Sequence, residues 1–240
     1  MIRVTVWNEF IHEQKEESVR ELYPDGIHGA LAAGLRADDL HFECVTMDDP
    51  DQGLSEAVLS RTDVLVYWAH WGHARMEDVN VRRAAEYVRN GMGLVVLHSG
   101  HYSKLFQALC GTTCALEWRA VGEKERVWCV APDHPIAEGV PQTFVVPHSE
   151  MYGEPFDIPE DAKPVFMSWF EGGNVFRSGI TLKRGFGRIF YFEPGHEKYP
   201  IFYQPEVLRV IGNAVRWAAP RYRGVHTTPK VENLEPIRTE

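Results

Sequence analysis

Two short, almost unbroken apolar runs, DVLVYWA (Asp63 to Ala69) and GLVVL (Gly93 to Leu97), constrain the fold more than any other feature of the chain. Neither alternates apolar with polar side chains, so neither is a strand with one face in water; each has the length of a strand buried on both faces. The segment between them supplies a covering helix. From Met76 to Asn90, residues Val79, Ala84, Tyr87 and Val88 recur at roughly helical spacing, and Gly91 supplies the stop. The same rhythm precedes these runs: a β-branched strand Ile2 to Trp7, a polar loop Asn8 to Asp25, helix formers Gly26 to Leu35, a strand Leu40 to Met47 and a short helix Leu54 to Arg61. Strands separated by helices predict a parallel sheet with right-handed crossovers and helices on both faces. In such a sheet ligands bind beyond the carboxyl ends of the strands.

After about residue 112 the pattern becomes β-rich. ALEWRAV, RVWCVAP, TFVVP, PVFMSWF, NVFRSGITLKR and GRIFYFEP read as strands, with Gly172-Gly173 as a hairpin turn, and a closing amphipathic helix runs from about Glu206 to Ala219. The last stretch, 220–240, is rich in Pro, Thr and charge without periodicity and is expected to wrap the surface or contact another subunit, which suggests a homo-oligomer. The organisation predicted is one α/β domain over 1–219 and a tail over 220–240.

Of 240 residues, 44% are apolar, enough for a full core. A net charge of −9 without a Lys/Arg-rich run argues against nucleic acid and against a basic membrane-binding face. With no secretion signal at MIRVTVWNEF and no apolar window near the length of a membrane span, a cytoplasmic protein with a small-molecule partner is expected. For the same want of a secretion signal, Cys44, Cys110, Cys114 and Cys129 are expected to be reduced thiols, and no second cysteine pair completes a zinc clip around Cys110 and Cys114.

The polar residues that follow the strands carry the chemistry. Past Trp7 come Asn8, Glu9, His12 and Glu13; past Ala69, His70, Trp71 and His73; past Leu97, His98, Ser99 and His101; past Pro147, His148, Glu150 and Tyr152; past Phe192, Glu193, His196 and Glu197. Seven of the eleven histidines fall in these positions, which surface decoration does not explain. Converging imidazoles and carboxylates suit a divalent ion of the zinc, iron or manganese type, zinc foremost, and also serve acid/base work. The metal set expected is His70, His98, His148 and His196; the catalytic groups are His98, Glu150 and His196. Among the seven tryptophans, Trp71 beside this cluster is a candidate sugar platform.

The run VVLHSGH followed by YSKLFQALCG has the strand–turn–helix form of a nucleophile elbow, but Val96 stands where G-x-S-x-G has its first glycine. If Gly100 is the second glycine, His98 occupies the apex and Ser99 lies one residue off. A Ser-dependent hydrolase using Ser99 is the reading this spacing disfavours.

YPDGIHGAL, LHSGHYSKL, DHPIAEG, HSEMYGEP and GRIFYFEPGHE, in that order, resemble the trehalose-utilisation (ThuA-like) family over roughly residues 2 to 219. The resemblance implies a flavodoxin-like parallel sheet of the class I glutamine amidotransferase type, flanked by helices and extended by added strands. Where those amidotransferases carry a catalytic cysteine, this chain has His98, so glutamine hydrolysis is not expected. Work on trehalose-type disaccharides or their keto derivatives is implied, by isomerisation, elimination or hydrolysis. The alternative is a sugar-binding or regulatory module on a scaffold that has lost its nucleophile. The family-like pieces also draw attention to His28, Asp133, His134, Tyr152 and Gly195, with His28, Tyr152 and Asp133 expected to contact substrate.

Overall fold

The computed structural model describes residues 1–225 and 230–238. Five strands form the parallel half of a nine-stranded sheet: β1 (Ile2–Asn8), β2 (Leu40–Thr46), β3 (Val64–Trp68), β4 (Gly93–Leu97) and β9 (Gly187–Phe192). Between β4 and β9 in sequence lie β5 (Glu117–Cys129), β6 (Thr143–Gly153), β7 (Lys163–Phe170) and β8 (Val175–Arg184). The spatial order is β2-β1-β3-β4-β9-β8-β7-β5-β6, parallel from β2 to β9 and antiparallel from β9 to β6. The parallel half thus has the flavodoxin-like order expected, with the β-rich excursion added at one edge.

Strand alternation splits the core into two layers. Val64, Val66 and Trp68 pack with α3 (Gly26–Gly34) and α7 (Pro205–Ala218) on one face. Leu65 and Tyr67 pack with α4 (Glu56–Leu59), α5 (Asp78–Arg89) and α6 (Lys104–Cys110) on the other. All five residues of β3 and of β4 are buried, as their lack of alternation required.

Three departures from the sequence reading matter for function. The loop after β1 holds two short helices, α1 (His12–Lys15) and α2 (Glu17–Leu22), which turn His12 inward. ALEWRAV and RVWCVAP join into the single strand β5, and β6 runs on past TFVVP, so Glu150 and Tyr152 lie within a strand rather than beyond one. GRIFYF is β9 of the parallel half, paired with β4, and not part of the added edge. The Gly172-Gly173 hairpin forms as expected, with Gly173 at φ +96° and its N–H donating to Phe170 O at 2.8 Å.

The first tail residues are laced to the domain: Arg223 donates to Asp63 Oδ1 at 2.8 Å and Gly224 N–H to Asn90 O at 3.1 Å. Residues 226–229 and 239–240 of the tail lie outside the described residues. Among the described residues no helix is long and apolar enough to cross a membrane.

Candidate active site

The parallel strands β3, β4 and β9 are neighbours, so the residues that follow them meet at one edge. His98 follows β4 directly and starts a 3-10 turn, His98–Tyr102, that leads into α6. Its φ is +50°, a left-handed conformation that a branched-at-Cγ residue adopts only under constraint. The close turn also needs Gly100, where a Cβ would stand 2.9 Å from Val96 Cγ1. The strained apex of an elbow is therefore present, with an imidazole on it.

His98 is fully buried, and its Nδ1–H donates to the Glu193 carbonyl at 3.0 Å. Because a carbonyl only accepts, Nδ1 carries a proton in this contact, and Nε2 is the nitrogen that faces the site. That nitrogen lies 3.1 Å from Glu150 Oε2, which has no hydrogen-bond partner although it is buried. Two acceptors at this distance are favourable only with a proton or a cation beside them. Tyr152 stacks on His98 with ring centroids 5.1 Å apart and rings 8° from parallel.

His70, from the loop after β3, donates through Nδ1 to Glu197 Oε2 at 2.7 Å, while Nε2 faces Glu150 Oε2 at 3.9 Å. A carboxylate on one ring nitrogen fixes the tautomer and leaves the other nitrogen free, the usual arrangement behind a metal-ligating histidine. The donors of His70, Glu150 and His196 lie within 4.8 Å of one another, as do those of His12, His70 and Glu197. In the second group His70 has its Nδ1 proton committed to Glu197, and His12 Nδ1 is 3.0 Å from Glu16 Oε1. The second group keeps an unpartnered nitrogen, His12 Nε2, but only His70 of that group lines the adjoining cavity, whereas the first group has the unpartnered Glu150 Oε2 and puts both His70 and Glu150 in the cavity wall. Its His196 Nδ1 accepts the Lys198 N–H at 3.1 Å, a bond that an ion taken through that nitrogen displaces.

The electrostatics agree. Burial works to raise Glu150, but the contact with His98 and the positive potential of His98, His70 and His196 outweigh it and hold the carboxyl down to about 2. Glu197 is likewise held low, its burial outweighed by His70, His196 and His12. Burial lowers His70, but its bond to Glu197 and the charges of Glu197, Glu150 and Glu9 raise it overall. His196 is pushed down to about 4, first by burial and then by the charge on His98. At neutral pH this is a neutral ring among ionised carboxylates.

A cavity of about 460 Å³ opens on this cluster, with His70, Glu150, Tyr152 and Ser99 in its wall and Trp71 and Trp118 at its sides. The size is within the range of small-molecule sites. Trp71 is 55% and Trp118 66% exposed. The backbone of Trp71 is fixed by Glu9, whose carboxylate accepts from the N–H groups of Trp71 (2.8 Å) and Gly72 (2.7 Å). Ser99 Oγ lies 3.4 Å from His73 Nε2, but His73 Nδ1 is buried without a partner, so no acid completes a triad.

Of the residues named from sequence, His70, His98, Glu150, Tyr152, His196 and Trp71 meet here. Three do not. His148 is exposed, with Nδ1 at 3.2 Å from Gly122 O. Its strand carries a bulge: Glu125 pairs with Val146 but Glu123 with Ser149, and the extra residue turns His148 outward while Ser149 and Glu150 face in. Asp133 is exposed in a turn whose His134 caps the next 3-10 segment, accepting from Ile136 N–H at 3.2 Å and packing on Trp217 of α7. His28 accepts from Asn8 Nδ2 at 2.9 Å, and the same amide donates to Glu13 at 2.7 Å, so His28 braces α3 against β1 beside the cluster. His12 and Glu197 are the site residues to which sequence assigned no role, although both stood among the polar residues after strands.

A family model described as trehalose utilisation matches residues 3–218. Among curated proteins no sequence matches. Among solved structures, a putative ThuA-like protein from Bacteroides uniformis aligns with a TM-score of 0.65 at 16% identity, covering 90% of this chain and 91% of that one. A second, from Parabacteroides merdae, gives 0.62 at 16% identity, covering 96% and 92%. A glutamine amidotransferase from Thermotoga maritima gives 0.52 at 11% identity, covering 90% and 97%, and shares the fold. With the family match running almost from end to end of the folded domain, this chain belongs to the ThuA, or trehalose utilisation, family.

Proposed function

We propose that the protein is an enzyme of carbohydrate catabolism acting on trehalose-type disaccharides or their keto derivatives, with a divalent ion, zinc foremost, held by His70, Glu150 and His196. The observation that carries this reading is the trio of donors within 4.8 Å of one another beside the cavity, one of them an unpartnered buried carboxylate oxygen. Three protein ligands leave a position for substrate, and the ion would polarise a sugar carbonyl or alkoxide oxygen. A carboxyl held near 2 stays ionised at neutral pH, which makes Glu150 a ligand more than a proton carrier. Proton transfer at the neighbouring carbon then falls to His98, whose Nδ1–H is anchored on the Glu193 carbonyl so that Nε2 faces the site. Trp71 offers an indole face to the sugar and Tyr152 holds the His98 ring in place.

The test is incubation of the metal-replete protein with trehalose and with a keto-disaccharide, followed by NMR of the sugar. Conversion of either that stops on chelation and returns with zinc supports the proposal. Ligand-dependent thermal stabilisation without conversion of either sugar contradicts it and favours a sugar-binding module.

A further inference from the structure

The far wall of the cavity comes from the added strands and the segment that leads into them: Ala115 and Leu116 precede β5, and Trp118 lies on it. Trp118 pairs across the sheet with Tyr152 of β6, and both side chains line the cavity. Directly opposed residues hold their Cβ atoms about 5 Å apart, and Tyr152 in turn stacks on His98 at 5.1 Å. The Trp118 indole therefore stands one side chain beyond the ring that touches His98. It is too far out for a sugar ring reacting at His98 and in line for the ring next to it. Among the described residues no aromatic ring or cation packs on this indole, whereas Trp71 already lies on His12 at 4.1 Å and beneath Lys15 at 5.9 Å.

Resting on the sugar reading of this site, we propose that the cavity takes an uncharged disaccharide with its second ring on Trp118, which makes Trp118 the residue that selects two rings over one. Stacking on the indole would cover a face that is now in water. Hydroxyls of that ring have partners at hand: Ser99 Oγ and His73 Nε2 stand 3.4 Å apart in the same wall, a loose contact that leaves both able to bond elsewhere. Positive charge is what the wall lacks, since no lysine or arginine lines it. The basic residues that flank it in sequence are engaged. Lys104 Nζ donates to Met76 O at 2.8 Å and Asp78 Oδ1 at 2.9 Å, and Arg119 pairs with Glu123 and donates to Asn174 Oδ1 at 3.1 Å. Burial keeps His73 near 4 and His101 near 3, so these rings are neutral at neutral pH. A phosphate or carboxylate on the second ring would shed water with no cationic side chain to replace it.

The experiment titrates the full chain, incubated with zinc, with trehalose, glucose and trehalose 6-phosphate, and reads binding by ligand-observed NMR, in which any conversion is also visible. Trehalose should bind about tenfold more tightly than glucose, and the phosphate ester more weakly than trehalose. Trp118→Ala should bring trehalose down to the affinity of glucose and leave glucose unchanged, while Trp118→Phe keeps most of the preference. At 66% exposure Trp118 supports little of the fold, so both variants should keep the wild-type Tm. Equal binding of trehalose and glucose by the wild type, a preference that survives Trp118→Ala, or tighter binding of the phosphate ester overturns the proposal and leaves the sugar reading standing. Binding of none of the three overturns both.

Discussion

His98 concentrates the argument at the scale of the residue. Its backbone has the strain of a nucleophile apex, its Nδ1 proton is spent on a carbonyl, and its Nε2 faces a carboxylate that nothing else satisfies. If it is the acid/base group and not a ligand, His98→Ala should lower turnover about 10²–10⁴-fold while zinc content stays near that of the wild type. Loss of zinc together with turnover would make His98 a ligand. Behind it, fully buried Glu193 is raised well above its ordinary 4.5, first by burial and then by the charge of Glu125. A raised carboxyl favours folding below 4.5 and loses that favour as pH rises towards its folded value, so Glu193 costs stability at pH 8. Glu193→Gln should therefore raise Tm at pH 8, with the gain shrinking to nothing near pH 4. An equal gain at both values would assign the effect to packing. The sequence showed His70 and His98 as candidates because residues after adjacent parallel strands must converge, and His196 because it follows a strand among other polar residues. It gave no sign of the Glu125–Glu193 pair, since two glutamates become a coupled pair only through the pairing of β5, β7 and β8 with β9.

At the scale of the element, the site depends on β9 entering the parallel half beside β4. Gly187 opens that strand against the end of α5, where a Cβ would stand 2.1 Å from Val88 O and 2.9 Å from Met92 O. Backbone oxygens cannot swing aside, so Gly187→Ala should cost about 1–3 kcal/mol, measured by urea unfolding. No loss would mean that β9 tolerates displacement from α5. That β1 to β4 form a parallel sheet was legible because β1, β3 and β4 are apolar runs spaced by helices. The place of β9 was not, since GRIFYFEP follows a hairpin and looks like one more antiparallel strand. His148 was misplaced for a related reason. Period-2 alternation cannot reveal a bulge, and a bulge is what separates His148 from Glu150.

Across the whole molecule, the buried cluster ties stability to pH and to metal. In chelator-treated protein, His73 and His196 are held near 4 and His101 near 3, chiefly by burial. Unfolding lets these rings protonate at about 6.5, so stability falls as pH drops from there to their folded values. Glu150, held near 2, adds stability that is present above 4.5 and lost between 4.5 and 2. His70, which is raised, and the Glu125–Glu193 pair act in the opposite sense. The larger group predicts a Tm that declines steadily from pH 6.5 to pH 4; a flat profile would show that the histidines are not buried as described. Zinc at 1,000 times its Kd would add about 4 kcal/mol to the folded state. The most direct measurement is zinc K-edge X-ray absorption on purified, untagged protein. About one zinc per chain, with two imidazole nitrogens and one carboxylate oxygen at about 2.0–2.2 Å, is the predicted result. A spectrum with sulfur in the first shell, or no zinc retained after loading and desalting, would contradict the His70–Glu150–His196 centre.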